Sequence, residues 1–197
     1  MPNTIGILLF DGVEELDFGG PWEVFGVSAM LNKSDRVVAI AEKKAPIRCS
    51  KGLSVNPDHS FERHPMLDVL VVPGGLGTRR EVDNPVLLGW LREAASPCRW
   101  VTSVCTGALL LHAAGLAKGK RVTTHWNSIA RLKAMGDVEV LDGPRYVRDG
   151  NLVTAAGISA GIDMALWLVG QLHGADFARK VQRQMQYEPA PPYAAEV

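Results

Sequence analysis

Short apolar runs, each ended by a turn signal, recur along this 197-residue chain and constrain its fold more than any other feature. The clearest lie at 3–10, 36–41, 68–73 and 99–104. Uninterrupted runs of this length suit strands that are buried on both faces of a sheet. Helical patterns follow three of them, and the alternation predicts an α/β fold: a mostly parallel central sheet with helices on both faces. These three helices are expected at 21–32, 85–95 and 106–114.

The rest of the chain carries shorter elements. Residues 46–59 predict a hairpin or strand pair, and the pieces around 138–141, 146–147 and 152–155 alternate with Asp-Gly turns as β-hairpins do. The segment 159–173 is apolar on nearly all sides, so it is either buried under neighbouring elements or half covered by a second subunit. The remaining expected elements are a short strand at 122–124 and helices at 127–135 and 175–187.

No repeat or linker interrupts this pattern, so we expect one domain over 1–188 and a Pro/Ala-rich tail over 189–197. The chain has 21 basic and 21 acidic side chains, which leaves no excess positive field for nucleic acid or an anionic membrane. No signal segment is legible at the start, and no apolar stretch reaches the roughly 20 residues that span a bilayer. Three irregularly spaced cysteines match no disulfide framework. We therefore predict a cytoplasmic protein.

Cys105 is the leading candidate for chemistry. It lies between the extended 99–104 segment and the helix at 106–114, which is where a nucleophile elbow exposes its side chain above a sheet. A helix N-terminus lowers a thiol pKa, so thiolate near neutral pH is expected. Buried cysteines also serve as small apolar core residues, which is the alternative here and the interpretation we give to Cys49 and Cys98.

Asp17 is the best acid/base candidate, because it follows the first strand and precedes the helix expected at Pro21. Its alternative role is a helix cap. Glu14 and Glu15 are expected to be solvated, although either would replace Asp17 if the register differs by one residue.

Gly75 ends the third apolar run, and its amide together with that of Thr106 is predicted to form an oxyanion hole. His125 is either a base for the thiol or a packed structural residue. A metal site has little support, because His59 and His64 have no companion cysteine or acid cluster.

Four segments, at 10–25, 71–75, 104–126 and 149–169, together resemble the PfpI-like branch of the class I glutamine amidotransferase-like superfamily. Within it, the Cys-Thr-Gly elbow, TTHW at 123–126 and YEPAPPY at 187–193 resemble the isocyanide hydratases. The resemblance implies a flavodoxin-like three-layer fold, a homodimer, and neither organic cofactor nor metal.

The resemblance also implies a reaction, the addition of water to an isocyanide to give an N-substituted formamide. It assigns the nucleophile to Cys105, the essential carboxylate to Asp17 and the essential threonine to Thr106. Residues close to these motifs are candidates for the substrate pocket: His125, Trp126, Ile158 and Trp22.

Two other functions use such a scaffold. One is a ligand-sensing domain of a transcription regulator. Such regulators add a helix-turn-helix module, which we do not expect in the few residues that follow the last predicted helix. The other is a redox sensor in which oxidation of Cys105 is the signal.

Overall fold

The computed structural model describes residues 2–189, and its strands follow the predicted order. The strands are β1 (Thr4–Leu8), β2 (Arg36–Ala41), β3 (Ile47–Arg48), β4 (Ser54–Val55), β5 (His59–Ser60), β6 (Val69–Val72), β7 (Trp100–Val104), β8 (Arg121–Val122), β9 (Glu139–Val140), β10 (Tyr146–Asp149) and β11 (Leu152–Ala155). The helices are α1 (Glu15–Asn32), α2 (Thr78–Glu81), α3 (Pro85–Ala95), α4 (Gly107–Ala113), α5 (Ile129–Ala134), α6 (Ala160–His173) and α7 (Ala175–Gln184), with a 3-10 turn at Trp126–Ser128.

The central sheet has seven strands in the order β10-β11-β7-β6-β1-β2-β5. Every neighbouring pair is parallel except β10 and β11. Apart from the antiparallel edge strand β10, chain order runs outward in both directions from the pair β1 and β6, so this pair is the topological switch point of the sheet. In open parallel sheets ligands bind outside the carboxyl ends of the strands at such a point.

Helices cover both faces of the sheet, and side chains alternate between two cores. On β6, Val69 and Val71 join the core under α1, α6 and α7, whereas Leu70 and Val72 join the core under α3 and α4. Burial on both faces explains why these strands read as unbroken apolar runs. The predicted three-layer α/β fold is confirmed.

Helix α1 begins at Glu15, so the predicted start at Pro21 is wrong. Pro21 lies inside the helix and has no amide hydrogen to bond the Asp17 carbonyl one turn earlier. The start of the helix is fixed by a residue from another segment, because the Glu14 amide donates a hydrogen bond to the Gly74 carbonyl at 2.9 Å. Asp17 consequently lies within the first turn of α1 and not in a loop.

Other differences concern short segments. β3 and β4 form the expected hairpin, but β5 adds to the edge of the main sheet beside β2. β9 pairs in parallel with β8 in a separate two-stranded sheet, so its expected hairpin with the following strands is wrong. Helix α6 packs against α1 and α7, as the first of its two predicted alternatives requires, while Leu166 and Trp167 are only partly buried.

Helix α7 ends at Gln184, three residues before its predicted end. The predicted tail at 189–197 lies, apart from its first residue, outside the described residues. Over residues 2–189, none of the helices has the length and apolarity needed to cross a membrane.

Candidate active site

Three neighbouring strands deliver the candidate residues to one place. β1 leads into α1 with Asp17, β6 leads into Gly74 and Gly75, and β7 leads into Cys105. Because β1, β6 and β7 are adjacent and parallel, their carboxyl ends meet at the switch point. The structure therefore brings Asp17, Gly74 and Cys105 together, as the sequence predicts.

Cys105 forms a sharp turn between β7 and α4. Its φ of 56° is left-handed, a conformation that is uncommon for a residue with a side chain. Two hydrogen bonds fix the turn: the Cys105 amide donates to the Ala156 carbonyl at 2.8 Å, and the Thr124 hydroxyl donates to the Cys105 carbonyl at 2.7 Å. A Cβ on Gly107 would collide with the Val72 carbonyl, so only glycine lets α4 start this close to β6.

The Cys105 thiol is 7% exposed and borders the core under α1 and α6. Burial and, second, the charge of Asp17 raise its pKa to about 12, although hydrogen bonds from the backbone amides of Thr106 and Ile158 favour the thiolate. The predicted lowering of this pKa is therefore wrong. Desolvation outweighs the helix N-terminus, which the sequence pattern alone does not show.

Asp17 is fully buried. Its Oδ2 accepts a hydrogen bond from the Gly74 amide at 2.9 Å, and its Oδ1 has no hydrogen-bond partner among the described residues. Burial raises the Asp17 pKa to about 7, against the lowering effect of the Gly74 amide. The residue is no helix cap, because Glu14 occupies that position. A carboxyl that titrates near neutral pH with a free oxygen is suited to proton transfer.

Gly74 is in direct contact with the candidate residues, a role that the sequence interpretation gave only to Gly75. A Cβ there would lie 2.5 Å from both the amide nitrogen and Oγ1 of Thr106, and 2.9 Å from Oδ2 of Asp17. The Gly-Gly pair was the available signal, but it pointed to Gly75. The Gly75 amide instead donates to Thr106 Oγ1 at 2.9 Å, so in this structure it is not available for the predicted hole between Gly75 and Thr106. The backbone amides that favour the Cys105 thiolate are those of Thr106 and Ile158.

Thr106 connects the elbow to the loop after β6. Its Oγ1 lies 3.1 Å from the hydroxyl of Thr78, which in turn donates to the Gly75 carbonyl at 2.7 Å. Thr78 is fully buried on the unpredicted helix α2. This network fixes the Thr106 side chain beside the sulfur, whose thiolate form it also favours.

A cavity of about 370 Å³ lies near Cys105, because Thr124 and Ala156, which hydrogen-bond to the Cys105 backbone, are part of its lining. The lining also includes Ile158, which has a left-handed backbone conformation with φ 49°. The cavity brings together the three predicted pocket residues His125, Trp126 and Ile158, whereas Trp22 borders a different cavity. Its lining comprises Thr123, Thr124, His125, Trp126, Asp142, Gly143, Pro144, Arg145, Ala156, Gly157 and Ile158.

His125 is held as a wall of this cavity. Its Nδ1 accepts a hydrogen bond from the Asn127 amide at 3.3 Å, and its ring packs on Gly157, where a Cβ would collide with it. Trp126 is 75% exposed at the cavity edge. These contacts favour the structural alternative for His125 over the role of base. The charge that raises the pKa of the Cys105 thiol is that of Asp17.

The remaining candidates lie elsewhere or are engaged. Glu14 and Glu15 are mostly buried and pair with Lys51, so their predicted solvation is wrong. The Cys98 thiol donates to the Ala94 carbonyl at 3.0 Å. Among residues 2–189, no group of three or more His, Cys, Asp or Glu side chains is arranged to hold a metal ion.

The chain belongs to the DJ-1/PfpI family, whose sequence model matches residues 3–171. It is 46% identical to the isonitrile hydratase of Pseudomonas putida over 98% of this chain and 82% of that protein. Its fold matches a ThiJ/PfpI family protein from Pseudomonas syringae with a TM-score of 0.90 and 33% identity, covering 98% of this chain and 78% of that one. It also matches Drosophila melanogaster DJ-1beta with a TM-score of 0.84 and 23% identity, covering 96% of this chain and all of that one.

Proposed function

We propose that this protein adds water to isocyanides, R–N≡C, and releases N-substituted formamides, with Cys105 as the nucleophile. The observation that carries the proposal is the electrostatic interaction between the buried thiol at the elbow and Asp17. Asp17 is a buried carboxyl with one oxygen that has no hydrogen-bond partner among the described residues. The similarity to the Pseudomonas putida isonitrile hydratase supports the substrate class.

The first half of the reaction forms a carbon–sulfur bond. With a pKa of about 7, Asp17 is largely ionised just above neutral pH, while the Cys105 thiol retains its proton. As the sulfur attacks the terminal carbon of the isocyanide, the thiol proton passes to Asp17 and from Asp17 to that carbon. The product is a thioimidate, R–N=CH–S–Cys105, and Asp17 is again a carboxylate.

The second half consumes water. Asp17 takes a proton from a water molecule whose oxygen adds to the thioimidate carbon, and Asp17 passes that proton to the nitrogen. Collapse of the resulting R–NH–CH(OH)–S–Cys105 adduct breaks the carbon–sulfur bond, gives R–NH–CHO and returns a proton to the sulfur. Amides of Thr106 and Ile158, which favour negative charge on this sulfur, stabilise it as a leaving group.

The cavity beside Ile158 is the proposed site for the substituent R. Ile158, whose amide favours the Cys105 thiolate, is part of its lining, and Trp126 offers it a large exposed apolar surface. His125 forms its wall.

Formamide production tests the proposal. An alkyl or aryl isocyanide is incubated with wild type, Cys105→Ala and Cys98→Ala, and the formamide is followed by absorbance. We expect turnover by wild type and by Cys98→Ala, whose thiol is buried away from the site, and none by Cys105→Ala. Turnover by Cys105→Ala would exclude the nucleophile, and inactivity of wild type with a panel of isocyanides would exclude the reaction.

The proposal includes a cytoplasmic homodimer that needs no organic cofactor or metal and binds no nucleic acid. Membership of the DJ-1/PfpI family and the equal numbers of basic and acidic side chains support these points. Light scattering of the purified protein tests the dimer, and activity after dialysis against a chelator tests the independence from metal.

A further inference from the structure

Three segments that are distant in sequence meet beside the cavity. Arg145 precedes β10, Asp163 lies in the first turn of α6, and Tyr187 follows α7. Nε of Arg145 donates to Oδ2 of Asp163 at 2.6 Å, and a terminal guanidinium nitrogen pairs with the same carboxylate. The Tyr187 hydroxyl donates to Oδ1 of Asp163 at 2.9 Å. We refer to these three residues as the Arg145 cluster.

The main chain connects this cluster to the elbow. The Arg145 carbonyl accepts a hydrogen bond from the Ala156 amide at 2.9 Å, and the Ala156 carbonyl accepts one from the Cys105 amide at 2.8 Å. Two hydrogen bonds therefore lead from Arg145 to the residue that carries the thiol.

The side chains provide a second connection. A terminal nitrogen of Arg145 donates to the Ser159 hydroxyl at 3.3 Å, and Ser159 directly follows Ile158. The Ile158 amide in turn donates toward the Cys105 sulfur. The described hydrogen bonds of the three cluster residues do not reach the sulfur, so any influence of the cluster on the sulfur passes through Ile158 and Ala156.

Ile158 needs such support because of its backbone. A β-branched residue at φ 49° is unfavourable in isolation and persists only where surrounding contacts hold it. Residues 157–159 lie between β11 and α6. Arg145 and Tyr187 both bind Asp163 in the first turn of α6 and so fix the position of this helix start. The segment after α7 reaches this point through Tyr187.

We propose that Arg145, Asp163 and Tyr187 are positioning residues that hold the Ile158 amide against the Cys105 sulfur. The segment after α7 thereby takes part in setting the reactivity of the thiol. The effect on turnover depends on the proposed isocyanide hydration, whereas the effect on the thiol does not.

The first test measures the thiol directly. Tyr187→Phe removes one hydroxyl, and Tyr146→Phe is the matched control, because Tyr146 lies nearby on β10 and packs against Trp167. Alkylation of Cys105 by iodoacetamide is followed by peptide mass from pH 7 to 10. We expect Tyr187→Phe to slow alkylation about fivefold at a given pH, because the thiolate loses hydrogen-bond support, and Tyr146→Phe to match wild type.

The second test measures turnover of an aryl isocyanide. Tyr187→Phe and Asp163→Asn should lower kcat with little change in KM, since the cluster supports the sulfur rather than the substrate. Adding Tyr187→Phe to Asp163→Asn should cause little further loss, because the hydroxyl acts through Asp163. Circular dichroism of each variant checks the fold, and Tyr187→Phe alone decides if Asp163→Asn does not fold.

Unchanged alkylation and unchanged kcat in Tyr187→Phe would overturn the proposal, as would equal effects of Tyr187→Phe and Tyr146→Phe. If the wild type hydrates no isocyanide, the proposed function fails while the alkylation series still decides the positioning role. Slower alkylation with unchanged hydration would limit the cluster to the resting thiol and overturn its part in turnover.

Discussion

The carboxyl group of Asp17 and the thiol of Cys105 hold their protons with unequal strength: the carboxyl titrates near pH 7 and the thiol near pH 12. Burial raises both values, and the negative charge of Asp17 raises that of the thiol further. Between pH 7 and pH 12 the pair therefore consists of an ionised Asp17 carboxylate and a protonated Cys105 thiol. In the proposed reaction, nucleophilic attack by Cys105 therefore needs the carboxylate as a proton acceptor, because the thiol keeps its proton at neutral pH.

This proton distribution predicts the pH dependence of hydration. Because the free enzyme needs ionised Asp17, kcat/KM should fall about tenfold per pH unit below pH 7 and be level above it. Asp17→Asn should lose roughly 100-fold or more in kcat/KM at pH 8. Initial rates of formamide formation from pH 5 to 9 provide the measurement. A level profile down to pH 5, or normal activity in Asp17→Asn, would contradict the assigned role.

The same substitution should have the opposite effect on the thiol. Asp17→Asn removes the negative charge that raises the pKa of Cys105, so more thiolate is present at pH 8 and alkylation by iodoacetamide accelerates. Peptide mass mapping separates Cys105 from Cys98. Slower alkylation of Cys105 in Asp17→Asn would show that the carboxyl activates the resting thiol instead.

Asp17 also makes the free energy of unfolding depend on pH. Its folded-state pKa of about 7 exceeds the value of 3.8 for an unperturbed carboxyl, so the folded state binds this proton more tightly. Protonation of Asp17 contributes its full share to the free energy of unfolding below pH 3.8. About 4 kcal/mol of that share is lost as the pH rises from 3.8 through 7. Urea unfolding at pH 5 and pH 8 should show a steeper loss for wild type than for Asp17→Asn. Equal pH dependence in the two proteins would mean that Asp17 is ionised at little cost.

Gly74 should tolerate no side chain. A methyl group would be forced against Thr106 and the Asp17 carboxylate, so Gly74→Ala is expected to abolish hydration and to lower the free energy of unfolding by about 2 kcal/mol. Gly89→Ala is the control, because it lies in α3 with open space around it and should stabilise the helix by roughly 0.5–1 kcal/mol. Full activity in Gly74→Ala would refute the close approach at this position.

Trp126 should affect large substituents more than small ones. If the cavity beside Ile158 holds R, Trp126→Ala raises KM for aryl isocyanides several-fold and leaves KM for methyl isocyanide almost unchanged. Trp22→Ala is the control, since Trp22 is 37% exposed at a different cavity. Parallel changes in KM for both substrates, or for both variants, would move the substituent to another part of the site.

The sequence predicts the layers of this fold well because each buried strand is a continuous apolar run. β2 and α3 have the predicted limits, and Cys105 lies at the predicted turn. The start of α1 is set by a contact between Glu14 and Gly74, which are 60 positions apart, so the local pattern around Pro21 cannot reveal it.

The chemistry of the site is less accessible from sequence. The helix N-terminus at Cys105 suggests a low pKa, but the three-dimensional enclosure of the sulfur determines the opposite direction. Gly74 and Gly75 are neighbouring glycines that the sequence alone does not distinguish. Their roles differ because the Gly74 amide donates to Asp17, whereas the Gly75 amide donates to Thr106. Thr78 and the Arg145 cluster have no local signature, because their partners come from distant segments.

The residues of the proposed active site follow separate strands: Asp17 after β1, Gly74 after β6 and Cys105 after β7. The cavity proposed for the substituent is built by still other segments, at 123–126, 142–145 and 156–158. Mutations that remodel these outer loops leave the strands, Asp17 and Cys105 in place. Such a division gives evolution a way to diversify the accepted compounds while the bond-making step is inherited intact.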